Sequence, residues 1–129
     1  MQHEFPIRVY YEDTDMAGIV YYANYLKFIE RARSDWVRQK GVDQNAMKDK
    51  EGIVFAVRKV EADYLAPAKF DDELVVETRA IQITGARLVM EQIVKRDKDL
   101  LFQALVTIVC VGENGQAARL PANLRLVLH

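Results

Sequence analysis

The sequence is poor in the residue types that build several common active sites. It has one cysteine, Cys110, so a disulfide within the chain is excluded. The apolar neighbours Val109 and Val111 favour a buried structural thiol over a reactive one. The two histidines, His3 and His129, stand at the chain ends, where disorder concentrates. Without an internal histidine, a Ser-His-Asp or Cys-His machinery and a zinc site of several histidines are excluded.

Charge and hydrophobic patterning exclude further classes of protein. The net charge is -1 and both signs are mixed along the chain, which argues against nucleic acid because phosphate binding needs clustered Lys and Arg. No apolar run approaches the roughly 18 residues of a membrane span, and the first residues lack the pattern of a signal peptide. The glycines are isolated, so no phosphate-binding glycine loop is present. We expect one cytoplasmic domain over residues 1–129, with a substantial core because 50% of the residues are hydrophobic.

A long amphipathic helix is the strongest periodic signal in the chain. Asn24 is a candidate N-cap, and Gly41, which follows Arg38 and Lys40, has the character of a C′ residue. The apolar positions follow the i, i+3, i+4, i+7 spacing of a helix with one buried face: Tyr22, Tyr25, Leu26, Ile29, Ala32, Trp36 and Val37.

Alternating hydrophobicity predicts strands before and after this helix. Tight turns between the later strands predict antiparallel pairing, and the helix must bury its apolar face against one side of the sheet, which is an α+β arrangement. Residues 42–52 are polar and are predicted to be a connection with one helical turn at most. The last strand is apolar on both faces, which favours packing between subunits. The predicted strands are Phe5–Tyr11, Ile53–Ala66, Glu73–Ile83, Arg87–Lys95 and Leu100–Val111.

An acidic loop containing Asp13 and Asp15 precedes the helix and ends at Gly18. A calcium-binding EF-hand loop is excluded, because its third acid would fall on Ala17 and its closing glutamate on Asn24. A magnesium site on the two aspartates alone would be generic. A different interpretation is that one carboxylate faces the donors of a helix N-terminus. Those donors would hold an oxyanion while the carboxylate attacks a carbonyl or activates water.

The same residues also allow a purely structural role for both acids. Asp13 and Asp15 are residue types that cap loops through Asx-turns, and spacing alone leaves both interpretations open. On the helix, Glu30 and Arg33 are three residues apart and are most simply a surface ion pair. A catalytic carboxylate carried by the helix at Glu30 is the alternative.

Two motifs carry a resemblance to a known family. The segment RVYYEDTDMAGIVYYANYL at 8–26, followed by ERAR at 30–33, resembles the 4-hydroxybenzoyl-CoA thioesterase family and is closest to its Tol–Pal-associated acyl-CoA thioesterase branch. The resemblance continues through FAVRKV at 55–60, DYLAPA at 63–68 and Asp71-Asp72, and so covers nearly the whole chain. It implies a hotdog fold, in which an antiparallel β-sheet wraps around one long central helix. The predicted order of elements agrees with that fold.

The resemblance also implies a function and a site. Asp15 matches the family's catalytic carboxylate, acting as nucleophile or general base in hydrolysis of an acyl-CoA to free acid and CoA. The backbone N–H of Tyr22 matches the donor that polarises the thioester carbonyl. Many members of the branch have histidine where this chain has Tyr22, so a backbone contribution is expected here. No cofactor or metal is implied.

Further contacts and partners are expected on weaker grounds. Asp13 is expected to hold the loop, and Tyr25 to line the acyl pocket. Arg58 and Lys59 are candidates for the CoA phosphates from charge alone. The resemblance implies a homodimer or homotetramer with the active site at the subunit boundary, and acyl carrier protein is an alternative carrier of the acyl group. The residues expected to bind substrate are Gly18, Ile19, Val20, Tyr25, Arg58 and Lys59.

Two rival functions remain at this stage. Hotdog enzymes that hydrate or dehydrate acyl thioesters use a histidine with an acid, and the missing internal histidine counts against that chemistry. The second rival is a non-catalytic module of the Tol–Pal envelope system, which would bind acyl thioesters or interact with another protein. The length or aromatic character of the acyl group is not fixed by the sequence.

Overall fold

The computed structural model describes residues 3–126, which form a curved antiparallel sheet with one long helix against it. A single 3₁₀ turn, Tyr11–Asp13, lies between the first strand and the long helix. In chain order the elements are β1 (His3–Arg8), α1 (Asn24–Gln39), α2 (Gln44–Glu51), β2 (Val54–Tyr64), β3 (Glu73–Ile83), β4 (Arg87–Arg96), β5 (Asp99–Val111), β6 (Ala117–Ala118) and α3 (Ala122–Arg125).

The sheet order is β1-β3-β4-β5-β2, with the short β6 beside β5. The hairpins β3–β4 and β4–β5 form as the tight turns predict. β2 pairs with β5 and not with β3, so the expected pairing of all consecutive strands is wrong at this point. Segment 65–72 is long enough to carry the chain across the sheet, where a two-residue hairpin loop could not. The crossing leaves β2 at one edge of the sheet.

The element boundaries agree with the predictions except near the two ends of the acidic loop and after α1. β1 ends at Arg8, earlier than predicted, because the chain turns into the 3₁₀ turn. Residues 44–51 form a two-turn helix in place of the predicted connection. The carboxylate of Asp43 caps it by accepting the N–H of Ala46 at 3.0 Å, and Gly52 ends it in the left-handed region at φ 68°. α2 has few apolar residues, so its sequence shows no hydrophobic periodicity from which a helix could be predicted.

α1 packs on β1, β3 and β4 and provides much of the core. Its C-terminal end is the predicted glycine motif. The N–H of Gly41 donates to the carbonyl of Arg38 at 3.0 Å, and the N–H of Val42 donates to the carbonyl of Val37 at 3.3 Å. Asn24 is the first helical residue and not the N-cap, which corrects the prediction by one position. The buried residues of the helix are Tyr25, Phe28, Ile29, Ala32, Trp36 and Val37.

The buried stripe of α1 is rotated from the predicted one. Phe28 is fully buried, whereas Tyr22 and Leu26 are 62% and 42% exposed. Because α1 packs on β1, β3 and β4, part of the inward-facing side of β2 is uncovered, and Val57 and Val60 remain exposed opposite buried Ile108 and Val106. A groove therefore runs between one side of α1 and β2.

A polar group lies in the middle of the core beneath α1. Gln92 is fully buried, its amide nitrogen donates to the carbonyl of Ile29 at 2.8 Å, and its oxygen accepts Arg33 at 2.9 Å. Burial lowers the pKa of Arg33, although the nearby charge of Glu30 opposes that effect. Glu30 accepts the hydroxyl of Ser34 at 2.7 Å instead of pairing with Arg33. The predicted Glu30–Arg33 ion pair is therefore wrong, since the guanidinium turns toward the sheet.

The N-terminal histidine is ordered, contrary to the expectation for a chain end. His3 lies in β1, is buried, and contacts the Asp35 carboxylate through Nε2 at 2.7 Å. The contact joins the edge strand to α1. His129 lies outside the described residues. Within residues 3–126, none of the helices combines the length and hydropathy that a membrane crossing requires.

We expect the thiol of Cys110 to be unreactive at pH 8 in the folded protein. The side chain is buried, and burial raises its pKa to about 11, so little thiolate is present at that pH. Titration with a chromogenic disulfide reagent should detect almost no thiol in native buffer and one thiol per chain in guanidinium chloride. Rapid labelling of the native protein would contradict the buried position.

Candidate active site

Asp13 fixes the acidic loop from within. Its carboxylate is buried and accepts the backbone N–H of Tyr10 at 2.8 Å. Its carbonyl accepts the N–H of Tyr21 at 3.0 Å and the side-chain amide of Asn24 at 2.9 Å. The Asn24 side chain thus donates across the loop, which explains why it does not act as an N-cap. Asp13 holds the loop, in agreement with the expectation.

Asp15 occupies a tight turn that exposes its carboxylate. The N–H of Gly18 donates to the carbonyl of Asp15 at 3.0 Å, and the N–H of Asp15 donates to the carbonyl of Ile19 at 2.9 Å. Gly18 has φ 80°, a left-handed conformation that glycine adopts without steric cost. One carboxylate oxygen, Oδ1, accepts the N–H of Ala17 at 2.9 Å in an Asx-turn. The other, Oδ2, has no hydrogen-bond partner among residues 3–126.

The N-terminus of α1 presents a free backbone donor next to this turn. The N–H of Asn24 closes a turn on the carbonyl of Tyr21 at 2.8 Å, whereas in the described part of the chain no acceptor meets the N–H of Tyr22. The hydroxyl of Tyr64 donates to the carbonyl of Tyr22 at 3.0 Å and so holds the next peptide unit, between Tyr22 and Ala23. The positive end of the helix dipole adds to the field at the same amide.

Asp15 and Tyr22 share one cavity of about 400 Å³. Its walls are mostly apolar and aromatic, with a few polar groups, as is typical of small-molecule sites. Five of the residues predicted from the sequence meet there, since Asp15, Ile19, Val20, Tyr22 and Tyr25 all line it. The complete lining is Asp15, Ile19, Val20, Tyr21, Tyr22, Tyr25, Tyr64, Leu65, Ala66 and Pro67.

Three predicted binding residues do not line this cavity. Gly18 affects the cavity only by closing the turn that contains Asp15. Arg58 lies at a bulge of β2, where the register shifts between Val57 and Lys59, and Lys59 pairs with Glu61 at 2.7 Å. Both basic residues therefore lie far along β2 from the cavity.

The wall formed by residues 64–67 was missed by sequence reasoning. These residues were interpreted as the end of a strand, and Tyr64 lies at that end with its ring edge-on to Tyr22 at 6.1 Å. An aromatic residue just before an Ala-Pro strand terminus was the available signal. Its position against α1 depends on the crossing of the chain after β2, which local periodicity does not reveal.

Tyr25 lines the cavity and also holds a neighbouring segment through a hydrogen bond. Its ring stacks on Phe102 with centroids 4.9 Å apart and planes 10° apart. Its buried hydroxyl accepts the N–H of Ala68 at 3.1 Å, and burial raises the pKa of this phenol. Tyr25 lines the cavity around Asp15, and its expected contact with an acyl group stays a prediction.

The pKa of one phenol at the cavity reflects the charged and polar groups beside it. The pKa of Tyr21 is raised, chiefly by the adjacent Tyr22 phenol and to a smaller degree by the Asp15 carboxylate. Within residues 3–126 no group of three His, Cys, Asp or Glu side chains is arranged to hold a metal ion. Two polar groups of the cavity-lining residues, Asp15 Oδ2 and the N–H of Tyr22, have no hydrogen-bond partner among residues 3–126.

We expect Tyr25→Phe to lower the free energy of unfolding by about 1–3 kcal/mol, because it leaves the buried N–H of Ala68 without an acceptor while preserving the ring. The matched control is Tyr11→Phe, whose phenol is 82% exposed. Urea unfolding followed by fluorescence measures both. Equal stabilities for the two variants would show that the tie to Ala68 contributes nothing.

Comparisons with known proteins place the chain in a family. Residues 9–128 match the sequence profile described as the thioesterase-like superfamily. The acyl-CoA thioesterase YbgC of Haemophilus influenzae is 42% identical over 83% of this chain and 79% of its own length, and the acyl-CoA thioester hydrolase YbgC of Escherichia coli O6:H1 is 44% identical over 83% and 80%. A probable thioesterase from Bartonella henselae has the same fold, with a TM-score of 0.88 and 37% identity over 94% of this chain and 100% of that one. The chain therefore belongs to the thioesterase-like superfamily and is a thioester hydrolase with the hotdog fold that the motifs imply.

Proposed function

We propose that this protein hydrolyses acyl-CoA thioesters to free acid and CoA in the cavity around Asp15. The observation that carries the proposal is the shared cavity of an exposed carboxylate, with one uncommitted oxygen, and the free amide of Tyr22 at the start of α1. The relatives named acyl-CoA thioesterase support the substrate class. Acyl carrier protein as an alternative carrier, and a cytoplasmic location, stay predictions from the sequence.

The geometry supports a simple division of labour in the reaction. The thioester carbonyl oxygen accepts the N–H of Tyr22, which stabilises the negative charge that develops in the transition state. Asp15 Oδ2 then acts in one of two ways. It attacks the carbonyl carbon, expelling the CoA thiolate and leaving a mixed anhydride that water hydrolyses. Alternatively, it takes a proton from a water that attacks the same carbon.

The Asx-turn of Asp15 has a role in either route. The N–H of Ala17 holds Oδ1, so the carboxylate is oriented before substrate arrives. Such preorganisation lowers the barrier because little rearrangement is needed at the moment of reaction. The structural and catalytic interpretations of Asp15 are therefore compatible, one for each carboxylate oxygen.

We further propose that the working form is a homodimer or homotetramer in which a second copy completes the site. Support comes from the open edge of β2 and from the groove beside α1, where Val57 and Val60 are exposed although they point toward the core side of the sheet. β2 also carries Arg58 and Lys59, about 20 Å from Tyr64 along the strand at roughly 3.3 Å per residue. Antiparallel pairing of two β2 edges would bring the basic residues of one copy nearer to the cavity of the other, where CoA phosphates could meet them.

We expect Asp15→Asn to lower kcat by about 10²–10⁴-fold, the usual contribution of a positioned acid or base. Asparagine keeps an oxygen that accepts the N–H of Ala17, so the loop should retain its shape. The matched control is Glu12→Gln, an exposed acid in the same loop. Thiol release from short, long and aromatic acyl-CoA substrates measures all three proteins.

An Asp15→Asn protein with wild-type kcat would overturn the assigned role of Asp15. Tight binding of acyl-CoA by the wild type without thiol release would instead favour the non-catalytic module. Calorimetric titration with a non-hydrolysable thioether analogue separates the two results, because it reports binding in proteins that do not turn over.

We expect Val57→Lys to shift the protein toward the mass of a single chain and to lower thiol release. Val57 is exposed in the groove, and a charge there would be desolvated if a second copy covers it. The control is Ile81→Lys, which changes a similarly exposed residue at the register shift of β3. Light scattering after size exclusion gives the mass. An unchanged mass and activity for Val57→Lys would refute pairing through β2.

A further inference from the structure

Segment 65–72 joins β2 to β3 and holds the acidic loop from the side. Its first residues form one wall of the cavity. The N–H of Val20 donates to the carbonyl of Ala68 at 2.8 Å, and Ile19 forms an antiparallel bridge with the next residue of the segment. The carbonyl of Ile19 accepts the N–H of Asp15 at 2.9 Å. A shift of segment 65–72 would therefore be passed to Asp15 through two successive backbone contacts.

The same segment also fixes the start of the acidic loop. The N–H of Val9 donates to the carbonyl of Asp72 at 2.9 Å, and the N–H of Asp71 donates to the carbonyl of Val9 at 2.9 Å. Asp71 has φ 70°, a strained conformation for a residue other than glycine, so the surrounding bonds must hold it there. Backbone hydrogen bonds to segment 65–72 therefore hold both ends of the loop.

A half-buried ion pair clamps this segment to the sheet. The Asp72 carboxylate oxygen Oδ2 accepts the N–H of Lys69 at 2.8 Å and Nη1 of Arg96 at 2.8 Å. Nη1 of Arg96 also donates to the carbonyl of Pro67 at 3.4 Å, a residue of the cavity wall. Arg96 ends β4, one of the strands that α1 covers. The clamp therefore links the cavity wall to the rigid part of the fold.

The charge state of the clamp agrees with its geometry. Burial, the largest single effect, raises the pKa of Asp72, but the Lys69 N–H and the Arg96 guanidinium together outweigh it, so that this pKa is below its usual value. The pKa of Arg96 is raised, chiefly by its hydrogen bond to Asp72. Both partners are charged at neutral pH, and charge-assisted hydrogen bonds are the stronger and geometrically more specific kind.

We infer that Asp72 and Arg96 are positioning residues for the reaction at Asp15. This inference rests on the proposed function. Neither side chain lines the cavity, so neither is assigned a contact with substrate. Their effect is to fix segment 65–72, and through it the distance between the Asp15 carboxylate and the Tyr22 amide. A misplacement of about 1 Å in such a site can cost on the order of 10²-fold in rate.

The test compares Asp72→Asn with a control that breaks a similar ion pair elsewhere. Asp72→Asn keeps the shape of the side chain and removes its charge. The control is Glu77→Gln, whose partner Lys95 lies 3.3 Å away on the neighbouring strand, with side chains as buried as those of the clamp. We expect Asp72→Asn to lower kcat about 10- to 100-fold with a smaller change in KM, and Glu77→Gln to leave both near wild type. Rates are measured well below the melting temperature of each variant.

A double-mutant cycle separates positioning from general weakening of the fold. If Asp72 acts by placing the Asp15 carboxylate, its substitution should have little further effect on the residual rate of Asp15→Asn. Arg96→Gln is the second variant and should show the same loss of rate, so the inference can be tested even if Asp72→Asn does not fold. Arg96→Lys should recover part of the rate because it keeps the charge.

The outcomes are distinct from those that test the function itself. Wild-type kcat in folded Asp72→Asn and Arg96→Gln would overturn the positioning role, as would an equal loss in Glu77→Gln. An undiminished effect of Asp72→Asn in the Asp15→Asn background would also overturn it. The proposed function fails by a different result, namely an Asp15→Asn protein with wild-type kcat or a wild type that releases no thiol.

Discussion

A single helix covers only part of the sheet, and the arrangement of the site follows from that constraint. α1 buries its apolar face on β1, β3 and β4, so the inner surface of β2 is covered only in part. Most of the stability of such a helix comes from that burial and not from its intrinsic propensity. Where the helix begins, its first amides are directed toward the acidic loop, and where it fails to reach β2, a groove opens. The position of the helix thus sets both the backbone donor of the cavity and the separate groove that a second copy is proposed to cover.

The acidic loop shows how two similar residues acquire different roles. The carboxylate of Asp13 is buried and accepts a backbone donor, whereas that of Asp15 is exposed and has one oxygen committed to a turn. Asp13 holds the loop, and Asp15 presents the free oxygen to which the proposed chemistry is assigned. Apart from the 3₁₀ turn Tyr11–Asp13 the loop contains no helix or strand, so it is held by the bonds of Asp13 and by the backbone contacts to segment 65–72.

Buried and half-buried polar contacts also connect the layers of the fold. Gln92 joins α1 to the sheet through the carbonyl of Ile29 and the guanidinium of Arg33. Each polar atom in that contact has a partner, as burial requires. The Asp72–Arg96 clamp ties an irregular segment to the end of β4. Polar interactions here specify orientation, while apolar burial supplies the driving force.

The sequence by itself determined the features that depend on neighbouring residues. The bounds of β3, the end of α1 at Gly41 and the burial of Cys110 followed from local periodicity, turn chemistry and apolar context. The resemblance carried by the D-x-D motif pointed to Asp15, whose role stays a prediction, and it implied the hotdog fold that the comparisons confirm.

Only the tertiary structure decided the contacts between residues far apart in the chain. The pairing of β2 with β5, the turn of Arg33 toward Gln92 and the burial of His3 against Asp35 all depend on how the sheet closes around α1. The place of Tyr64 in the cavity has the same origin. Periodicity reports which face of an element is apolar, but it carries no information about which distant partner will cover that face.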